Sequence, residues 1–192
     1  RFSLTAQYLN RWKFDYIDNT DKEYDGDSFV KTLAKHFIIG VDFIPSSMVL
    51  SAVDSRLRLE MGAEGMLSRI LEPLRDSYDF IIIDTCPSLG ALTINALAAA
   101  DEVIITVNPQ LLAMMGLQDF LKTVGKIRSR INNRLSVAGI LLTMCDSRTN
   151  LCKVISEEVA DTFQGQIRIF DSRIPTTVKV GESVYYSEPL IE

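Results

Sequence analysis

The chain has 192 residues, 47% of them hydrophobic, and carries 25 acidic against 20 basic side chains for a net charge of −5. That is enough apolar material for one domain with a core, and it excludes a disordered chain and a polycation, so any nucleic-acid contact must come from a local patch. Three cysteines and one histidine, with no CxxC pair, exclude a four-ligand zinc site and fit a reducing cytoplasm. No apolar run approaches the roughly 20 residues of a membrane span, and no signal-peptide pattern opens the chain.

In chain order, residues 1–28 are mixed: LTAQYLN suits a short helix and DNTDKEYDGDS an acidic loop. SFVKTLAKHF (28–37) predicts a short helix with Ser28 as N-cap, and IIGVDFIPSS alternates into a strand that Pro45 stops. Between 54 and 76, Leu57, Met61, Ile70, Leu71 and Leu74 keep a broadly helical spacing, with Pro73 near the end. The rhythm then becomes regular. FIIID (80–84) predicts a strand, LGALTINALAAAD (89–101) a helix rich in small residues, and EVIITV (102–107) a strand. Residues 115–131 predict an amphipathic helix with Leu117, Phe120, Leu121, Val124, Ile127 and Ile131 on one face. VAGILLTM (137–144) predicts a strand, 150–163 a helix with Leu151, Val154, Ile155, Val159 and Phe163 inward, and QIRIF (166–170) a last strand.

Short apolar runs alternating with longer 3.6-period segments mean βαβ units. The expected fold class is therefore α/β, a doubly wound, mostly parallel sheet with helices on both faces, forming one domain over residues 1–192. In such a sheet the carboxyl ends of the strands share one rim, where ligands bind. That rim is expected to gather Asp84 and Thr85, Asn108 and Pro109, Thr143 to Asp146, and Pro175 with Thr176. A carboxylate after four apolar residues has the shape of a Walker B element, in which Asp84 sits beside a phosphate-bound Mg²⁺ and holds one of its waters. An aspartate after a buried strand also serves as an N-cap or turn former, and the fragment alone leaves both open.

The longer string YDFIIIDTCPSLGALTINALAAADEVIITVNPQ resembles the ParA/Soj family of chromosome- and plasmid-partitioning ATPases, which are deviant-Walker P-loop proteins. The resemblance continues in GLQDFLKTVGKIRSRIN, GILLTMCDSRTNL and IPTTVKVGESVYYSEPLIE, and upstream in IPSSMVLSAVDSRL, so it covers most of residues 38–192. Cys86 stands where the family has the first of two prolines. The resemblance implies that Asp84 is the Walker B carboxylate of a Mg²⁺–ATP site. It also implies that Thr143, Met144, Pro175 and Thr176 line the adenine pocket, mostly through backbone, with Thr85 beside the nucleotide. Arg148 falls in the family's RTN segment, close to proposed DNA contacts. The implied cycle is ATP-dependent homodimerisation, nonspecific DNA binding by the ATP form, and hydrolysis stimulated by a ParB-type partner, in the cytoplasm at the nucleoid and without a membrane. A MinD-like relative is the neighbouring possibility, and the DTCPSLGALTINAL and DSRTN strings favour the partitioning branch.

The family's glycine-rich phosphate loop, with its two lysines, has no counterpart string in these 192 residues. RFSLTAQYL resembles the segment after the family's second strand, so the chain reads as an excerpt that lacks the first strands, the phosphate cradle and the C-terminal helix. On that basis the enzyme is an ATPase in a longer parent, and the isolated chain is expected to be inactive. The alternative is a noncatalytic ParA-like module that has lost its phosphate loop and modulates a partner.

Lys122, Lys126, Arg130 and Arg134 recur every four residues, and the first three lie opposite the apolar helix face. A solvated helix surface explains this pattern, and so does a footprint for DNA phosphates. His36 reads as structural and Met114–Met115 as hydrophobic filling. Asp42 and Asp54 are either rim carboxylates or solvated surface groups.

Overall fold

The computed structural model describes residues 35–38, 41–44, 53–55, 57–86, 88–146, 148–163, 165–186 and 190. The expected helix in LTAQYLN, the acidic loop, most of the helix over 28–37 and the stop at Pro45 lie outside them. Two compact units, Arg1–Ala100 and Asp101–Glu192, each carry their own core.

In the first unit, β1 (Lys35–Ile38) and β2 (Val41–Phe43) form an antiparallel hairpin, so the end of the expected 28–37 helix is strand instead. The helical pattern over 54–76 is broken rather than continuous. Gly62 adopts a left-handed φ of 71°, a conformation glycine takes without steric penalty, and a 3-10 turn over Ala63–Gly65 comes next. Then come α1 (Met66–Leu71) and a second 3-10 segment over Glu72–Ser77, with Pro73 in its first turn. Proline has no N–H for an α-helical bond, which favours this tightening. α2 (Ala91–Ala99) buries Thr93, Asn95, Ala96, Leu97, Ala98 and Ala99. Being apolar nearly all round, it is suited to burial rather than to a surface.

The expected strand at 80–84 is not part of a sheet among the described residues. A strand needs a neighbouring ladder for its N–H and C=O groups, and none of the described strands supplies one. Its two-residue alternation survives. Ile81 and Ile83 pack with Ile44, Leu67 and Tyr78 against Leu71, Leu74 and Ala99. Phe80 and Ile82 face out, 70% and 47% exposed.

In the second unit, β3 (Glu102–Val107), β4 (Ser136–Cys145) and β5 (Ile169–Pro175) form a parallel sheet in chain order. The crossovers are α3 (Leu111–Arg130) and α4 (Asn150–Phe163). With strands in sequence, right-handed crossovers place both helices on one face. That face pairs Ile105 with Ile140 and Val107 with Leu142, and Leu117, Cys152, Ile155, Val159 and Phe163 close over it. On the other face Ile104 is 55% exposed. The class is α/β with a mostly parallel sheet, as expected.

Three details depart from the sequence pattern. Ile131 stands past the end of α3 and is exposed, because the helix closes with Ile131 N–H on Ile127 O at 2.8 Å. Val154 is 57% exposed, and the buried stripe of α4 runs instead through Cys152, Ile155, Ser156, Val159 and Phe163. Ser156 tolerates burial because its hydroxyl donates to Cys152 O at 2.6 Å. β5 starts at Ile169 rather than 166, since the N–H groups of Gln166 and Ile167 turn back to Phe163 O at 3.0 and 3.1 Å. After β5 the chain forms α5 (Val178–Tyr186), a helix not expected from the sequence, with no buried residue. Among the described residues no helix is long and apolar enough to cross a membrane.

Candidate functional site

Asp84 ends the extended run of the first unit and is exposed together with Thr85 and Cys86. Partial burial raises its carboxyl pKa, while the Thr85 N–H, which it accepts, works in the opposite direction. The Ser88–Gly90 segment that leads into α2 is held from behind by a buried hydroxyl of that helix. The Thr93 hydroxyl donates to Ser88 O at 2.6 Å. Asn95 donates to Ala91 O at 3.0 Å and accepts the Leu67 N–H at 3.1 Å, which ties α1 to α2.

The N-terminus of α2 takes its cap from far away in the chain. Asp54 Oδ1 accepts the Leu92 N–H at 3.1 Å. Its Oδ2 accepts Nε and Nη2 of Arg58 at 3.0 and 2.8 Å. The Leu92 N–H, and after it Arg58, hold the Asp54 carboxyl below the usual carboxylate range. A Cβ at Gly90 would stand 2.6 Å from Asp54 Oδ1, so only glycine admits this approach without a shift. Asp42 accepts the Tyr78 hydroxyl at 2.7 Å. Burial and then Asp42 push the Tyr78 hydroxyl up to about 12. Asp42 and Asp54 thus both have structural partners, which their sequence surroundings did not disclose.

In the second unit the carboxyl ends of β3, β4 and β5 lie on one rim. Thr143 is half-buried near the end of β4. Met144 comes next at φ 55°, a left-handed value uncommon for a side chain of this size, and is 64% exposed. The Asn108 amide approaches its sulfur at 3.8 Å. Thr176 N–H donates to Cys145 O at 3.1 Å, which brings the Pro175–Thr176 segment beside the end of β4. Thr143, Met144, Pro175 and Thr176 therefore share one edge, with their backbone groups close together. Asp84 and Thr85 belong to the first unit.

The cations proposed for DNA differ in their surroundings. Lys126 and Arg130 are exposed on the outer side of α3. Lys122, on the same side, pairs with Asp119 at 2.8 Å. Arg148 is clasped by Asp146, with Nε on Oδ1 at 2.9 Å and Nη2 on Oδ2 at 3.0 Å. Both carboxylates were visible in the sequence; what spacing does not give is the rotamer that closes each pair.

Among the described residues no three histidine, cysteine or carboxylate groups cluster as a metal cage. A single exposed carboxylate instead suits Mg²⁺, which keeps most of its waters and is held by one or two carboxylates plus phosphate oxygens. Asp84 by itself thus has the exposure and the chemistry to hold Mg²⁺ through a water.

A family model described as an AAA domain matches residues 19–137. The sporulation initiation inhibitor protein Soj of Bacillus subtilis is 39% identical over 151 residues, 79% of this chain and 59% of that protein. The chromosome-partitioning ATPase Soj of Treponema pallidum is 41% identical over 147 residues, 77% of this chain and 57% of that protein. The chain thus spans less than two thirds of the length of these relatives. Among solved structures, cobyrinic acid a,c-diamide synthase from Mycobacterium smegmatis with bound ADP and magnesium superposes at a TM-score of 0.70. The identity is 31%, and the match covers 82% of this chain and 63% of that one.

Proposed function

The chain belongs to the ParA/Soj family, and from that premise we propose that it is the nucleotide-binding part of a Mg²⁺-dependent ATPase that partitions DNA. The observation that carries this is Asp84, an exposed carboxylate ending an apolar run, with Ser88 just beyond it braced by the Thr93 hydroxyl. In this reading Asp84 would hold the metal through a water, with Thr85 next to it in the chain. The backbone of Thr143, Met144, Pro175 and Thr176 borders the adenine. Bound Mg²⁺ would supply charge neutralisation at the phosphates.

ATP binding then favours a homodimer, the dimer binds DNA nonspecifically, and a ParB-type partner stimulates hydrolysis, all in the cytoplasm at the nucleoid. Lys126 and Arg130 meet phosphates directly. Lys122 and Arg148 must first leave Asp119 and Asp146. Because the chain carries a net charge of −5, DNA affinity rests on this local patch and falls steeply with salt. The test is retention of the full gene product on unrelated duplex DNA with ATP or ADP. Retention with ATP alone, reduced in Lys126→Ala/Arg130→Ala, supports the reading; equal retention with both nucleotides, or none with either, contradicts it.

A further inference from the structure

We propose that Asp54 is the positioning residue of this site, fixing the Ser88–Gly90 segment downstream of Asp84 by occupying the N-terminus of α2; this rests on the proposed ATPase reading. A helix N-terminus presents unpaired N–H groups and a positive dipole end, and so attracts an anion. Here that seat is filled from within the protein, since Asp54 Oδ1 takes the Leu92 N–H at 3.1 Å from 38 positions away in sequence. Gly90 offers no side chain to cap its own helix, and any Cβ there would collide with Asp54 Oδ1 at 2.6 Å. Cap and glycine therefore fit as a pair.

The second oxygen of Asp54 is equally committed. Arg58, one helical turn later, holds Oδ2 with two nitrogens at 3.0 and 2.8 Å. Both donors end on that one oxygen, so Arg58 occupies Oδ2 and leaves Oδ1 to the Leu92 N–H. The return into α2 is consequently held at two points, Leu92 N–H and Ser88 O. Asp54 holds the amide side, and the Thr93 hydroxyl holds the carbonyl side at Ser88 O, 2.6 Å away. Asp84 lies six residues before Gly90 in sequence, so freeing the helix end would loosen the carboxylate proposed to hold the metal. α2's N-terminus, already occupied, is not available to nucleotide phosphate.

Asp54→Ala, Asp54→Ser and Asp54→Asn are compared with wild type in the full gene product, Ser being too short to reach Leu92 and Asn retaining an acceptor oxygen. Amide exchange over residues 85–92 and the split between kcat and KM for Mg-ATP hydrolysis are both read. In Asp54→Ala and Asp54→Ser, exchange over 85–92 rises while that of β4 stays put. kcat per folded molecule falls about tenfold or more, since small misplacement of a reacting group is costly, and KM changes less than about threefold. Asp54→Asn recovers most of kcat. If kcat holds at the wild-type value while exchange over 85–92 rises, Asp54 is a cap and nothing more, and the proposal is overturned. A wild-type protein that hydrolyses no Mg-ATP overturns the ATPase reading first, and the proposal with it.

Discussion

Tyr78 and Asp42 show what a pairwise contact does that a sequence does not announce. The Tyr78 hydroxyl donates to Asp42 Oδ2 at 2.7 Å, and burial first, then that carboxylate, push its pKa up to about 12. The folded protein thus keeps a proton that the unfolded chain releases near pH 10. The resulting stability is fully present below about pH 10 and is lost as pH rises through about 12. Tyr78→Phe is expected to cost about 1–2 kcal/mol at neutral pH, toward the low end for a hydrogen bond to a charged group because the pair is only part-buried. It should also flatten the decline between pH 10 and 12, as followed by denaturant midpoints across pH. A decline of unchanged steepness would rule the pair out. Asp54 teaches the same lesson at longer range: its partner on Leu92 is a backbone N–H, which no side-chain pattern identifies.

At the scale of elements, periodicity served where an element satisfies itself or has its partner at hand. The strand over 102–107 and the helix over 150–163 appear with the expected bounds. FIIID failed as a strand because a ladder is a property of two segments, and only its inward–outward alternation is local. In α4 the inward face was misjudged at Val154 because Cys152 and Ser156 were discounted. A thiol packs as a small hydrophobe, and a hydroxyl bonded to the preceding turn hides its polarity. Gly139 marks another contact between elements. A Cβ there would stand 2.8 Å from Arg168 O and 2.8 Å from the Phe170 ring, both at or just before β5. Gly139→Ala should therefore force β5 away from β4 and destabilise by about 1–3 kcal/mol, read as a lower denaturant midpoint; an unchanged midpoint would show that β5 yields freely. The rim at the ends of β3, β4 and β5 was legible as a rim, since parallel strands share their carboxyl ends. The left-handed turn at Met144 was not, because methionine carries no signal for it.

For the molecule as a whole, each unit leaves apolar surface uncovered. Phe80 and Ile82 face outward in the first unit and Ile104 in the second. β3 has no neighbour on its second edge among the described residues. An open edge with an apolar face is a site for pairing with another chain. The 192-residue chain alone is expected to bind an apolar fluorescent dye in its native state and to self-associate as concentration rises. Phe80→Lys with Ile104→Lys should reduce both. A monodisperse wild-type chain that ignores the dye would show these faces to be covered. Composition gave the size of the core and its sign of charge; it had no means of showing which apolar faces stay open.

Asp84 is the residue on which the ATPase reading depends, and the most direct measurement is Mg²⁺-dependent ATP hydrolysis by the full gene product, wild type beside Asp84→Asn. Asparagine keeps the size of the side chain and removes the charge that holds a metal-bound water. Hydrolysis that requires Mg²⁺ in the wild type and falls about 10–100-fold in Asp84→Asn is the predicted result, the loss expected when a group orienting a metal's ligands is removed. Equal rates in the two proteins, with or without Mg²⁺, would contradict it.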